Sequence, residues 1–286
     1  MCRILLTNMA DKNPTDKRRW TPFHQAVYKG DLETCKVFIE NKVDMNSRSN
    51  QGWTLLHAAA KEGHSDVCQI LLQNNIEKDP RTNEGFTPLH LAALHGHAEV
   101  CKVLLEHGVD KNPAYSGWTP LHVAVGERFL DVCQVLLNHH VDKNPVTDED
   151  SWTPLHLASH NGFLDICDVL LKNKVFIEAT DNQGRTPLYL AADNGLFYVC
   201  QLLLANRVKK DPRTTNGYTP LHMAAGKGYL NICQILIANG VKKDPRTNDG
   251  STPLDLAAKH KQLGVVAYFR YLRKKKNELT RIVYIL

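Results

Sequence analysis

Short apolar segments at helical spacing alternate along the chain with polar loops. Phe23, Ala26 and Val27 lie three or four residues apart or adjacent to one another, which places them on one face of a helix. Segments of this first type start with Thr, mostly followed by Pro, and most of them end near a Gly. A second apolar segment follows, as at residues 66–72. The pattern predicts a series of short helix pairs joined by turns.

One tetrapeptide, Thr-Pro-Leu-His or a near variant, marks every first helix. Its copies start 32 to 34 residues apart, at Thr21, Thr54, Thr87, Thr119, Thr153, Thr186, Thr219 and Thr252. A period of this length indicates one helical unit stacked on copies of itself. By this motif and spacing, the chain resembles the ankyrin-repeat family over roughly residues 1–273. The resemblance implies an all-α repeat solenoid, an elongated curved stack whose repeats each combine a helix–turn–helix with a β-hairpin loop.

The repeat register divides the chain into predicted units. Residues 1–17 match only the second helix and loop of a repeat, residues 249–273 form a C-terminal capping repeat, and residues 274–286 form a basic and then apolar tail. Seven full repeats are predicted between them, at 18–50, 51–83, 84–115, 116–149, 150–182, 183–215 and 216–248. Because the array opens in mid-repeat and solenoids need polar end caps, we expect further repeats upstream. Arg128 and Lys261 replace the helix-ending Gly, which predicts strained or remodelled turns there.

Histidine and alanine each keep one register in the first helix. The fourth motif residue is a histidine in six copies: His24, His57, His90, His122, His156 and His222. The resemblance implies that this histidine bonds to the backbone and braces the junction of hairpin and helix. Alanine occupies another position in all copies: Ala26, Ala59, Ala92, Ala124, Ala158, Ala191, Ala224 and Ala257. Small residues in this register allow the first helices of adjacent repeats to pack closely.

The eight cysteines share one slot of the second helix. They are Cys2, Cys35, Cys68, Cys101, Cys133, Cys167, Cys200 and Cys233. Stacked helices lie roughly 8–10 Å apart, which is too far for a disulfide, and zinc sites need ligands closer in sequence than these. We therefore interpret the cysteines as small buried core residues. Abundant unpaired thiols predict a reducing compartment, the cytoplasm or the nucleus.

Composition and motifs exclude several classes of protein. At 43% hydrophobic and 23% charged residues, the 286-residue chain resembles a folded protein rather than a disordered one. Its apolar runs are about half as long as a bilayer span, and its first residues lack the features of a secretory signal. We find no nucleophile elbow, phosphate loop or zinc-protease motif. The sequence therefore predicts a protein that is not an enzyme and that has no cofactor and no metal.

The residue before the motif threonine is the first candidate for binding a partner. In seven repeats it is Trp20, Trp53, Phe86, Trp118, Trp152, Arg185 and Tyr218. The resemblance places this position on the hairpin arm beside a concave groove, and Trp, Tyr and Arg are the types that dominate interface energetics. Packing of the rings over neighbouring hairpins is the alternative. Tyr28, His95 and Glu127, on the groove side of the first helices, are further candidates.

These candidates favour a monomeric scaffold or adaptor that binds a protein partner. Basic residues are concentrated late in the chain, at residues 209–213, 242–246 and 273–276. They make nucleic acid or an anionic surface the alternative partner. The net charge of +5 is mild for this length and does not by itself indicate nucleic acid. A third hypothesis makes the array the recognition arm of a larger enzyme or channel, because the fold alone does not name a function.

Overall fold

The computed structural model of the chain describes residues 13–283, with side chains as far as Lys274. Over these residues it contains sixteen α-helices and no β-strand. The predicted all-α repeat fold is confirmed. Cys2, most of the predicted partial repeat and the end of the predicted tail lie outside the described residues.

The helices fall into two compact units that divide after Glu149. The first unit contains α1 Pro22–Tyr28, α2 Leu32–Glu40, α3 Leu55–Glu62, α4 Ser65–Gln73, α5 Pro88–Leu94, α6 Ala98–Glu106, α7 Pro120–Gly126 and α8 Leu130–Asn138. The second unit contains α9 Pro154–Asn161, α10 Leu164–Lys172, α11 Pro187–Asp193, α12 Phe197–Ala205, α13 Pro220–Gly226, α14 Leu230–Ala238, α15 Pro253–Lys259 and α16 Leu263–Val283. Odd-numbered helices are the first and even-numbered helices the second of each pair.

Each first helix begins immediately after the motif threonine. Thr21 has extended backbone angles, its side chain accepts a hydrogen bond from the backbone N–H of His24, and Pro22 occupies the first helical turn. The side chain of His24 reaches back to the N–H of Thr21, so that the two residues cap each other. Proline costs nothing at this position because the first N–H groups of a helix have no partner within it. These local interactions explain why the motif starts a helix.

Neighbouring repeats within each unit stack through the alanine register. In the first unit α1, α3, α5 and α7 pack side by side, as do α2, α4, α6 and α8. The same side-by-side order relates the first helices of the second unit. Ala59, Ala92, Ala191, Ala224 and Ala257 have no exposed surface. Each repeat thus buries its apolar face against the next one, as expected for a solenoid.

The loops between repeats fold into arms, and backbone hydrogen bonds close these arms. The N–H of Thr82 donates to the carbonyl of Phe86 at 2.9 Å, and the N–H of Thr214 donates to the carbonyl of Tyr218 at the same distance. Among residues 13–283 one isolated β-bridge, between Tyr115 and Trp118, is present. The arms expected as β-hairpin loops are therefore turns, too short for strands.

Two helix ends that lack glycine keep the left-handed turn that glycine makes elsewhere. Arg128 has a φ of 62° and Lys261 a φ of 58°, close to the 68° of Gly30. A side chain disfavours this conformation by roughly 1–2 kcal/mol. Of the two expected outcomes, strain and remodelling, the structure shows strain.

The last helix is much longer than the others. α16 spans 21 residues, from Leu263 to Val283, and so extends past residue 273, the predicted limit of the capping repeat. Its first turns bury Val265 and Phe269, which are 1% and 2% exposed. Part of the segment predicted as a tail is therefore a continuation of this helix.

Candidate functional site

Four motif histidines join their first helix to the arm of the next repeat. The Nδ1 atom of His57 lies 2.9 Å from the hydroxyl of Thr54, and its Nε2 atom lies 3.0 Å from the carbonyl of Phe86 in the next repeat. The carbonyl only accepts, so Nε2 carries the proton and Nδ1 accepts from the N–H of Thr54. The same link joins three further pairs: His90 to Trp118, His156 to Arg185, and His222 to Ser251. It sets the position of the residue before the motif threonine.

Burial keeps these histidines neutral. Loss of contact with water lowers the pKa of His57 and of His90 to about 4. It also lowers the pKa of His24, His156 and His222. At neutral pH these histidines are therefore neutral.

The cysteines of the described residues are buried thiols. Seven are buried and form no disulfide: Cys35, Cys68, Cys101, Cys133, Cys167, Cys200 and Cys233. Burial raises the pKa of Cys35, Cys167, Cys200 and Cys233 to about 12. Burial also raises the pKa of Cys68 and of Cys101. A thiol of this kind is a poor nucleophile at neutral pH, because the thiolate is the reactive form.

We expect the described cysteines to resist alkylation in the native protein at neutral pH and to react fully in urea. The thiolate is the reactive form, and burial both raises the thiol pKa and blocks access to the sulfur. Treatment with iodoacetamide followed by peptide mass spectrometry measures the reaction at each site, with the urea-treated sample as control. Native labelling of Cys200 at the rate of a free model thiol would contradict the buried assignment.

The aromatic arm residues pack on the histidines of their own repeats. Ring centroids are separated by 5.7 Å for Trp20–His24, 6.2 Å for Trp53–His57, 5.9 Å for Phe86–His90, 5.8 Å for Trp118–His122 and 5.8 Å for Tyr218–His222. Trp118 is 37% exposed and the other four rings are half-buried. The arm rings therefore pack within their own repeats and remain partly exposed, so packing does not exclude binding.

Trp152 and Arg185 form a different arrangement in the second unit. The indole N–H of Trp152 donates to a carboxylate oxygen of Asp181 at 3.2 Å, and the guanidinium of Arg185 lies 5.8 Å from the ring centroid of Trp152. Arg185 also pairs with Asp181 at 2.5 Å, where the carboxylate side chain is fully buried. The ring of His160 lies 5.0 Å from that of Trp152. A buried ion pair thus fixes both arm residues.

The three first-helix candidates differ in their surroundings. Tyr28 is 42% exposed and meets the ring of Trp20 edge to face at 5.5 Å. His95 is exposed, and its Nδ1 atom lies 2.9 Å from the carbonyl of Leu91 in the same helix. Glu127 is exposed at the end of α7. Tyr28 therefore contacts the arm residue Trp20, whereas His95 and Glu127 are exposed to solvent.

An open cleft of about 500 Å³ lies on the arm side of the second unit. Its walls come from three successive repeats, with Arg185 and Tyr218 from the arms and Met223, Lys227 and Leu256 from the inner sides of α13, its C-terminal cap and α15. No single repeat contains the cleft, and sequence reasoning did not identify Met223 or Leu256. The sequence gives little indication of them, because an apolar residue at either position is also typical of a helix that packs in the protein core.

The cationic groups of the cleft are neutralised to different extents. Arg185 pairs with Asp181 as described, and the ammonium of Lys227 lies 2.6 Å from the carboxylate of Asp193. Lys259 is exposed and forms no ion pair with any described residue. The lining includes no acidic residue. Among the described residues the cleft therefore has one unpaired cation, Lys259, beside the apolar side chains of Met223 and Leu256.

Metal-binding and membrane-spanning features are absent from the part of the chain that the structure describes. Between residues 13 and 283, no three His, Cys, Asp or Glu side chains come together as metal ligands. Over the same range, none of the helices combines the length and apolar composition needed to cross a membrane. The cleft and the arm residues are thus the features of this range that the binding hypothesis can use.

Comparison with known proteins agrees with the repeat geometry. The family model for ankyrin repeats in three copies matches four overlapping stretches, residues 1–82, 75–147, 139–214 and 198–280. No curated protein matches the chain. The matches span the threonine-capped helix pairs, the arms and the cleft. The chain therefore belongs to the ankyrin-repeat family.

Proposed function

We propose that the chain is a non-catalytic protein-interaction module whose partner binds to the arms and the inner sides of the first helices. The observation that carries this proposal is the open cleft of the second unit, to which three successive repeats contribute. Binding sites combine an apolar floor with a few well-placed polar groups, and this cleft has that composition. In the first unit, Trp118 is a partly exposed arm tryptophan, a residue type enriched among those that dominate binding energy.

Replacing Trp118 and Tyr218 together with alanine is expected to weaken partner binding at least about tenfold, because each change removes aromatic contact area. Affinity capture from cell extract with quantitative mass spectrometry identifies the partners, and titration with a purified partner measures the affinity. Tyr198→Ala is the matched control, since Tyr198 is 68% exposed on the second helix α12, away from the arms. A folded double variant that captures the same proteins as the wild type, at the same level, would refute the proposal.

Nucleic acid or an anionic surface is the second candidate partner. The observation in its favour is that Lys209, Lys210, Lys242 and Lys243 are all exposed in the late repeats. Several of their neighbours are acidic, and Arg273 pairs with Asp244 at 3.5 Å. Phosphate binding weakens steeply with salt. Partner capture that persists at high salt therefore favours the protein partner.

We further propose that the protein works in a reducing compartment, the cytoplasm or the nucleus. The support is that the seven cysteines of the described residues form no disulfide. Proteins of oxidising compartments usually pair their cysteines. The array also remains compatible with a role as the recognition arm of a larger enzyme or channel.

A further inference from the structure

We propose that the cleft of the second unit receives an acidic segment of a partner protein, with one large apolar side chain of that segment lying over Gly226. A carboxylate beside this anchor would pair with Lys259, whereas Lys227 is already paired with Asp193. The inference rests on the proposed function and adds to it the chemistry of the partner.

Gly226 leaves the space for the anchor. The equivalent position of the other first helices in this unit holds His160, Asp193 and Lys259, all larger than glycine. A Cβ atom built at Gly226 would lie 3.6 Å from the Cβ of Leu256 and 3.9 Å from the ring of His260, which is ordinary contact. The missing side chain of Gly226 therefore leaves a gap in the lining of the cleft, and a Cβ atom fits there without a clash.

The surroundings of the gap are apolar and half-buried. Met223 and Leu256 belong to the lining and are neither fully exposed nor fully buried, and the ring of Tyr218 lies on the arm side. A volume of about 500 Å³ is within the range of small-ligand pockets, roughly 300–1,000 Å³. One aromatic or aliphatic side chain with part of its backbone fits such a space. Burying a Leu or Phe side chain contributes favourably to binding.

The charge of the cleft selects acidic neighbours for that anchor. Arg185, Lys227 and Lys259 are in the lining, which has no Asp or Glu. Asp181 and Asp193 already neutralise Arg185 and Lys227, respectively. Lys259 has no acidic partner among the described residues, so its ammonium is the group that a partner carboxylate would pair with most directly. Opposite charge across an interface provides specificity and raises the rate of association.

The same observations favour a protein segment over a nucleic acid. A nucleic acid needs several phosphate contacts at once to bind well. Of the three formal cations of the cleft, two are already in ion pairs and one is unpaired. Met223, Leu256 and the gap at Gly226 provide apolar contacts that a phosphate backbone does not use. An acidic peptide with an apolar anchor uses both features.

The test selects peptides from a random twelve-residue library displayed on phage, with the full chain as the target. We expect the selected peptides to contain Asp or Glu beside a single Leu, Phe or Trp. Fluorescence polarisation with synthetic, labelled copies of these peptides then measures their affinities. Gly226→Leu, which fills the gap, and Lys259→Glu, which reverses the unpaired charge, are each expected to weaken binding at least about tenfold.

Matched controls separate the cleft from general effects. Gly126→Leu makes the same change at the equivalent position of α7 in the first unit, and it is expected to leave peptide binding unchanged. Circular dichroism verifies that every variant is folded. Selected peptides without acidic residues, or peptides that bind Gly226→Leu as tightly as the wild type, would overturn the inference. Preferred binding of a labelled single-stranded RNA at the same residues would do so as well.

The same two variants distinguish this inference from the proposed function. If partner capture depends on Trp118 and Tyr218 but is unaffected by Gly226→Leu and Lys259→Glu, the interaction module stands and the acidic-segment inference fails. If the arm variant also leaves capture unchanged, the proposed function itself fails. Self-association through the cleft, detected by sedimentation and abolished by Gly226→Leu, would replace the partner protein with a second copy of the chain and overturn the inference.

Discussion

Lowering the pH from about 7.5 to about 5 is expected to reduce the free energy of unfolding of the first unit by about 2 kcal/mol for each of His57 and His90. Burial lowers the pKa of each to about 4, whereas the ordinary value is 6.5. The neutral form of each histidine thus stabilises the folded state, and its full contribution to the free energy of unfolding is present above pH 6.5. It is lost as the pH falls from 6.5 towards 4, because the unfolded chain then binds more protons.

Carboxylates titrate mostly below the pH range of 6.5 to 4 in which the histidines lose their contribution. They therefore do not account for the expected loss of stability. Hydrogen bonds lower the pKa of Asp31 from its ordinary 3.8, so the stability that it contributes is lost only as the pH falls below that value. Burial raises the pKa of Asp79, which acts in the opposite sense and reduces the net loss.

Urea denaturation followed by circular dichroism at the two pH values measures the change. A His57→Gln, His90→Gln variant is the control, since glutamine does not titrate. It is expected to be less stable than the wild type at pH 7.5, because the capping bonds are weakened, and to lose less stability on acidification. Equal stability of the wild type at both pH values would contradict the assignment of buried neutral histidines.

Replacing Ala257 with leucine is expected to destabilise the protein by about 1–3 kcal/mol, the usual cost of overpacking a core. Ala257 has no exposed surface and lies in α15, which packs against α13 and α16. The alanine register holds the first helices close together, and three extra carbons at this position separate them. Chemical denaturation with circular dichroism, in parallel with the wild type, provides the free energy of unfolding.

The adjacent residue provides a matched control in the same helix. Ala258 is exposed, so Ala258→Leu adds the same atoms to the same helix without entering the interface between repeats. Its effect is expected to stay within about 0.5 kcal/mol, as for most surface changes. If the two variants are equally stable, close packing at the alanine register does not hold the repeats together.

The sequence predicted the helix pairs well because their signals are local. Thr252 caps α15 through bonds with Asp255, three residues away, although aspartate has replaced the usual motif histidine. Caps of this kind depend on residues within one helical turn, and the repetition of the motif makes each of them visible in the sequence. The same repetition indicated the closely packed alanine register and the buried cysteine register.

The repeated motif does not predict the surroundings of the arm residues. Trp118 and Trp152 occupy the same register, yet Trp118 is 37% exposed whereas Trp152 is half-buried and bonded to Asp181. The difference arises from Asp181 and Arg185, which lie about thirty residues further along the chain. Burial of an arm ring therefore depends on the side chains of the next repeat, which the motif does not specify.

The sequence by itself determined the repeat period, the helix pairs, the caps and the registers that are buried, since each follows from interactions within a few residues or from one repeated pattern. Only the tertiary structure decided that Gly226, Met223, Leu256 and Lys259 border one cleft. A cavity exists where side chains from successive repeats leave space between them. That space depends on residues far apart in the chain, so no single repeat contains the information.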